Sequence, residues 1–192
     1  MFKSFNKKAG GLMALFSIGV GLASPSVFAE DKADLLAPMI EQSQSVINYC
    51  ASGNIEADKL SMQKEGFVRV VDGVANAEMP KDFASFVDFF YQEAGKSNEF
   101  LVKKSDNKYV VIIIDSNNSC NSPPSYGSLT QLASLMGQHK AERLNGDGGE
   151  ATSGNMIFKR EMYRVNQKVV VNTEIIDTQH PGVSYVTTTR LY

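Results

Sequence analysis

The chain has 192 residues, with 19 Lys and Arg, 21 Asp and Glu, two His and two Cys, for a formal charge of −2. That length is one domain's worth of chain. The mildly acidic balance argues against nucleic acid and against docking on anionic lipid, since both need clustered Lys and Arg.

Residues 1–29 read as a cleaved secretory signal peptide. Lys3, Lys7 and Lys8 form a basic start, "GLMALFSIGVGLA" is the apolar stretch, and Pro25, Val27 and Ala29 sit where a signal peptidase cuts. The apolar run is about 13 residues, short of the roughly 20 that span a bilayer. No cysteine lies near the cut, so a lipoprotein anchor is not expected. Removing the three lysines takes the formal charge from −2 for the whole chain to −5 for residues 30–192. No later stretch is long and apolar enough to cross a membrane as a helix. The reading is an exported domain, periplasmic if the source is Gram-negative.

In chain order, Leu35, Leu36, Met39, Ile40, Val46, Ile47 and Cys50 recur at helical spacing, with Ser43 the polar member of that face. Pro38 fits only a first turn, so the helix is expected over 37–51, with Gly53 as its stop. A second helix starts at Asn54 and stops at Gly66. "FVRVV" is a short strand. "DFASFVDFFYQEAG" is a helix that buries Phe83, Phe86 and Phe90 and leaves Phe89 and Tyr91 facing elsewhere. The period then changes to two. "EFLVKK" and "KYVVIIID" form a hairpin across Asp106 and Asn107. Tyr109, Val111 and Ile113 alternate with Val110, Ile112 and Ile114, so both faces are apolar and the strand is central.

"SNNSCNSPPSYGS" follows as a polar loop. A helix then begins at Ser128, with Leu129, Leu132, Leu135 and Met136 inward. "NGDGGEATSG" reads as a mobile loop. "NMIFKREMYRV", "KVVVNTEIID" and "GVSYVTTTRL" close the chain as a three-strand meander, with the threonines at an edge or on a solvent face. The expected fold is α+β, an antiparallel sheet of about five strands with three to four helices packed on it. In topology alone this run resembles profilin-like and roadblock-like domains, and no motif identifies either family.

Two cysteines in an exported chain are most simply one disulfide, here Cys50–Cys120. The rival role for Cys120, a nucleophile at a helix start, needs a base from His139 or His180. Neither histidine sits in a supporting motif. No close pair of Cys or His ligands suggests a metal, no glycine loop ends in a phosphate-binding Gly-Lys-Ser/Thr, and no cofactor is expected. Glu161, Glu174 and Asp177 read as solvated charges. "NNS" at 117–119 matches a glycosylation acceptor, treated as chance.

The sequence therefore points to a non-catalytic binding or accessory protein of the cell envelope, such as an inhibitor or immunity protein, with another envelope or secreted protein as partner. Phe89, Tyr91, Asn117 and Asn118 are the candidate partner surface. The alternatives are an envelope hydrolase using Cys120 with a histidine, and a carrier of an apolar ligand under the aromatic helix.

Overall fold

The computed structural model describes residues 35–70, 98–144 and 148–192. The expected signal peptide and the expected aromatic helix with Phe89 and Tyr91 lie outside them.

Helix α1 spans Met39–Tyr49, with Pro38 at its N-cap. That position suits proline, whose missing N–H is not needed there. Helix α2 spans Ile55–Lys64, and the Asn54 side chain accepts from the N–H groups of Glu56 and Ala57. It ends in a Schellman motif. The Phe67 N–H donates to Met62 O at 3.0 Å and the Gly66 N–H to Gln63 O at 3.1 Å, and Gly66 takes φ +90°. Met62 and Phe67, the residues that such a motif brings together, both lie in the core. Lys59 ties α2 to β2 through Glu99 at 2.9 Å, and pairs within the helix with Glu56 at 2.7 Å.

The strands are β1 (Val68–Val70), β2 (Glu99–Ser105), β3 (Lys108–Ile114), β4 (Cys120–Asn121), β5 (Ser125–Tyr126), β6 (Glu142–Arg143), β7 (Gly149–Ser153), β8 (Met156–Val165), β9 (Lys168–Asp177) and β10 (Ser184–Arg190), and helix α3 is Leu129–Gln138. All ten strands join one sheet in the order β1-β2-β3-β4-β10-β9-β8-β6. β5 pairs with β10, and β7 with β8. Every strand pair is antiparallel.

This corrects the five-strand α+β arrangement and its profilin-like topology. The described residues are 44 % strand and 24 % helix, with three short helices. The difference lies in short polar segments. β4, β5, β6 and β7 carry Asn, Ser, Glu and Gly, which read as loop, yet each completes its backbone bonds against a longer strand. "NGDGGEATSG" is one such case: residues 149–153 are strand β7. The threonines are another. Thr188 is fully buried in β10, which has neighbours on both sides.

The hairpin β2–β3 pairs from Glu99↔Ile114 to Ser105↔Lys108, and Asp106 in its turn takes φ +52°. β3 is central and buried on both faces. Val110, Ile112 and Ile114 meet Val46, Cys50, Met62 and Phe67 under the helices. Tyr109, Val111 and Ile113 form a second cluster with Phe100, Val102 and Leu36. A third cluster joins Met39 and Ile47 of α1 to Leu132, Leu135 and Met136 of α3, above Tyr163, Val165, Val170 and Val186. Helix α1 thus contributes to the cores of both halves of the sheet.

Candidate functional site

The loop around Cys120 is the seam between the halves of the sheet. Asp115 starts it. Its Oδ1 accepts from the N–H groups of Asn117 at 2.8 Å and Ser119 at 2.9 Å, and Asn118 takes φ +60°, a conformation that Asn tolerates. Asn117 and Asn118 are therefore exposed turn residues. β4 then pairs with Ile113 and Ile114 of β3 on one side and with Thr189 and Arg190 of β10 on the other. The prolines interrupt the strand, and Ser122 carries the pairing. Its N–H donates to Thr188 O, and its Oγ accepts from the Thr188 N–H, both at 2.8 Å.

Helix α1 closes the rest of the seam with polar side chains. The Gln42 amide substitutes for a stretch of strand: Nε2 donates to Tyr109 O at 2.8 Å, and Oε1 accepts from the Val111 N–H at 2.9 Å. Thr188 Oγ1 lies 2.9 Å from Asn172 Oδ1 and 2.8 Å from Ser43 Oγ. A hydroxyl has one proton, so Thr188 donates to Asn172 and accepts from Ser43. Gln42, Ser43, Asn172 and Thr188 are all fully buried. The polar Ser43 on an apolar helix face is thereby accounted for.

Cys120 is bonded to Cys50, at the end of α1, with the Cα atoms 6.4 Å apart. Both are fully buried. With its sulfur in that bond, Cys120 has no thiol to act as a nucleophile. Tyr192 Oη stands 3.4 Å from Cys120 Sγ and donates to Asp58 Oδ2 at 2.5 Å. Burial, then the Asp58 carboxylate, pushes the Tyr192 hydroxyl pKa far above its ordinary value. Arg190 is almost wholly buried nearby and donates to Val165 O at 3.2 Å. Burial lowers its pKa, and Tyr192 and Asp58 oppose that shift. These contacts pin the last strand to α2 and to the disulfide.

The histidines are far apart in role. His139 is the C-cap of α3, its backbone N–H donating to Leu135 O. His180 lies in the β9–β10 turn, half exposed, with Nδ1 2.7 Å from Asp177 Oδ2. The structure corrects the reading of Asp177 as solvated, because its side chain is 4 % exposed. The hydrogen bond from His180, then the Gln179 N–H, holds the Asp177 pKa below the ordinary aspartate value. Such a pair can orient a base. Among the described residues, His180 bonds to Asp177 and to backbone, and to no Ser, Thr or Cys side chain. Glu161 binds Arg143 and accepts from Tyr163 Oη, both at 2.7 Å. Burial and then Glu161 push the Tyr163 pKa up to about 12. Among the described residues, no three His, Cys, Asp or Glu side chains are grouped to hold a metal ion.

Among the described residues, a recess lies toward the other end of β10 from the disulfide. It is about 420 Å³ and open, between the 126–131 stretch that starts α3 and Gly182, Val183 and Ser184 after the β9–β10 turn. Its walls are fixed by short bonds. The Gly127 N–H donates to Ser184 O at 3.1 Å, and Ser184 Oγ donates back to Gly127 O at 2.7 Å. Gln131 Oε1 accepts from the Ser128 N–H at 2.8 Å, one half of a capping box. Tyr126 borders the recess and is 47 % exposed. Its ring rests on buried Tyr185, centroids 4.7 Å apart at 31°, and the hydroxyls are 3.3 Å apart. Burial, then Tyr126, raises the Tyr185 pKa strongly.

Of the residues expected at a site, the structure joins Cys50 to Cys120 and exposes Asn117 and Asn118. It adds Tyr126 and Tyr185, which the sequence did not single out. They are 59 residues apart, and only the β5–β10 pairing brings them together. No family model, no curated protein and no solved structure matches this chain.

Proposed function

We propose that this chain is an exported, non-catalytic binding or accessory protein of the cell envelope, and that it holds another envelope or secreted protein through the recess beside Tyr126. An inhibitor or immunity protein is one example of such a role, and a small accessory subunit is another, in the periplasm if the source is Gram-negative. The observation that carries the reading is Tyr126 itself, a large exposed aromatic held rigid by Tyr185 at the mouth of a recess. Tyrosines of this kind are enriched where proteins bind each other, because they bury much area at little entropic cost. The disulfide and the signal-like residues 1–29 support export. The hydrolase alternative loses its nucleophile to the disulfide. The carrier alternative rests on residues 83–91, outside the described residues.

The test places a photoreactive phenylalanine analogue at position 126 and irradiates the protein in envelope extract of the source cell. One discrete cross-linked protein at 126, absent with the probe at exposed Lys64 on α2, supports the reading. Absent cross-linking, or the same pattern at both positions, overturns it.

A further inference from the structure

The outer edge of β7 is a second surface with a definite chemistry. All five of its residues, Gly149 to Ser153, are exposed, and among the described residues it pairs on one side only, with β8. Edges of this kind are templates for another strand, and proteins block them with prolines, bulges or lysines. β7 has no proline, bulge or lysine, and Glu150 is its one charged residue.

The direction of its free groups follows from the hairpin. The turn Gly154–Asn155 closes on the Ser153–Met156 pair, whose carbonyl and N–H bond across it. Bonded and non-bonded pairs then alternate. Ser153, Ala151 and Gly149 turn their N–H and C=O toward β8, so Glu150 and Thr152 turn theirs outward.

We infer that β7 pairs antiparallel with β7 of a second copy of this chain, about a two-fold axis through Ala151. Registers centred on Glu150 or on Thr152 also set outward groups against outward groups. The one through Ala151 uses both outward residues of β7 in two bonded pairs and keeps the two Glu150 carboxylates from facing each other. Glu150 then faces the partner's Thr152 in a bonded pair, and the symmetric pair repeats it. Ala151 faces the partner's Ala151 in a non-bonded pair. The side chains agree. Glu150 meets no like charge across the axis, and on its other side it faces Lys159 of β8, at 4.0 Å. Gly149, Ala151 and Ser153 offer no bulk on the opposite face. The result is one sheet continuous through two copies.

Sedimentation of the full chain over a range of concentrations reads the dimer. Thr152→Glu sets like charges against both copies of Glu150, and Thr152→Lys sets opposite ones. Cross-strand pairs of this kind shift the dissociation constant by about two- to thirtyfold over two symmetric pairs, weaker for Glu and tighter for Lys. A second readout is covalent. Non-bonded partners stand about 4.5 Å apart at Cα, within disulfide range. Ala151→Cys cross-links to itself on oxidation, whereas Glu150→Cys alone and Thr152→Cys alone do not. A monomer at every concentration, equal effects of Glu and Lys at 152, or self-cross-linking at 150 as readily as at 151 overturns the inference.

Discussion

Replacing Cys50 and Cys120 together by Ala removes a bridge between residues 70 apart. In the chain-entropy model, closing a loop of that length stabilises the fold by about 4 kcal/mol. Both residues are fully buried among Val46, Met62, Phe67 and Ile114. Losing two buried sulfur atoms there adds about 1–2 kcal/mol. The double variant is expected to lose roughly 5 kcal/mol, or about 10–15 °C in Tm for a domain of this size. Urea titration and calorimetry of both proteins measure the difference. The slope of the urea curve should rise too, because the uncrosslinked chain exposes more surface on unfolding. A loss below about 1 kcal/mol would refute the reasoning. So would two free thiols in the unfolded, unreduced wild type.

Other consequences are narrower. Gln42→Leu leaves the Val111 N–H without an acceptor and Tyr109 O without the Gln42 donor, and should cost roughly 2 kcal/mol in urea titrations. Gln167→Gly should stabilise by roughly 1 kcal/mol. Asn166 and Gln167 both take positive φ in the β8–β9 turn, at 48° and 64°, and glycine adopts that conformation freely. Asp177 has a lowered folded pKa. Its contribution is therefore whole above the unfolded aspartate pKa and is lost as pH falls through the depressed folded value. Asp177→Asn should flatten the acid limb of a Tm-against-pH curve below about pH 4, and an unchanged limb would contradict the pair with His180.

Much of the local structure could be read from the chain because its cause is local. Asn54 as cap and Gly66 as stop follow from residues within one turn, and the unbroken apolar run Tyr109–Ile114 gave the two-faced burial of β3. The disulfide followed from counting, since two cysteines leave one pairing within the chain. The ten-strand sheet was hidden for a physical reason. Ser122, Asn121 and Thr188 look solvent-seeking, but each is satisfied by a group some 66 to 68 residues away. A short polar strand has no periodicity to betray it, and its partners supply the signal. The same holds for the site. Tyr126 is an ordinary loop aromatic until β10 places Tyr185 beneath it. Arg190 ends a strand in sequence, and burial against α2 and the C-terminus decides its role.

The most direct test of the proposed binding role is the affinity of the cross-linked partner for wild type and for Tyr126→Ala, by titration calorimetry. Tyr126 is exposed, so the variant should keep its Tm within a few degrees. The account predicts a loss of at least about 2 kcal/mol, roughly thirtyfold in Kd, the mark of a central aromatic anchor. Equal affinity for the two proteins would contradict it.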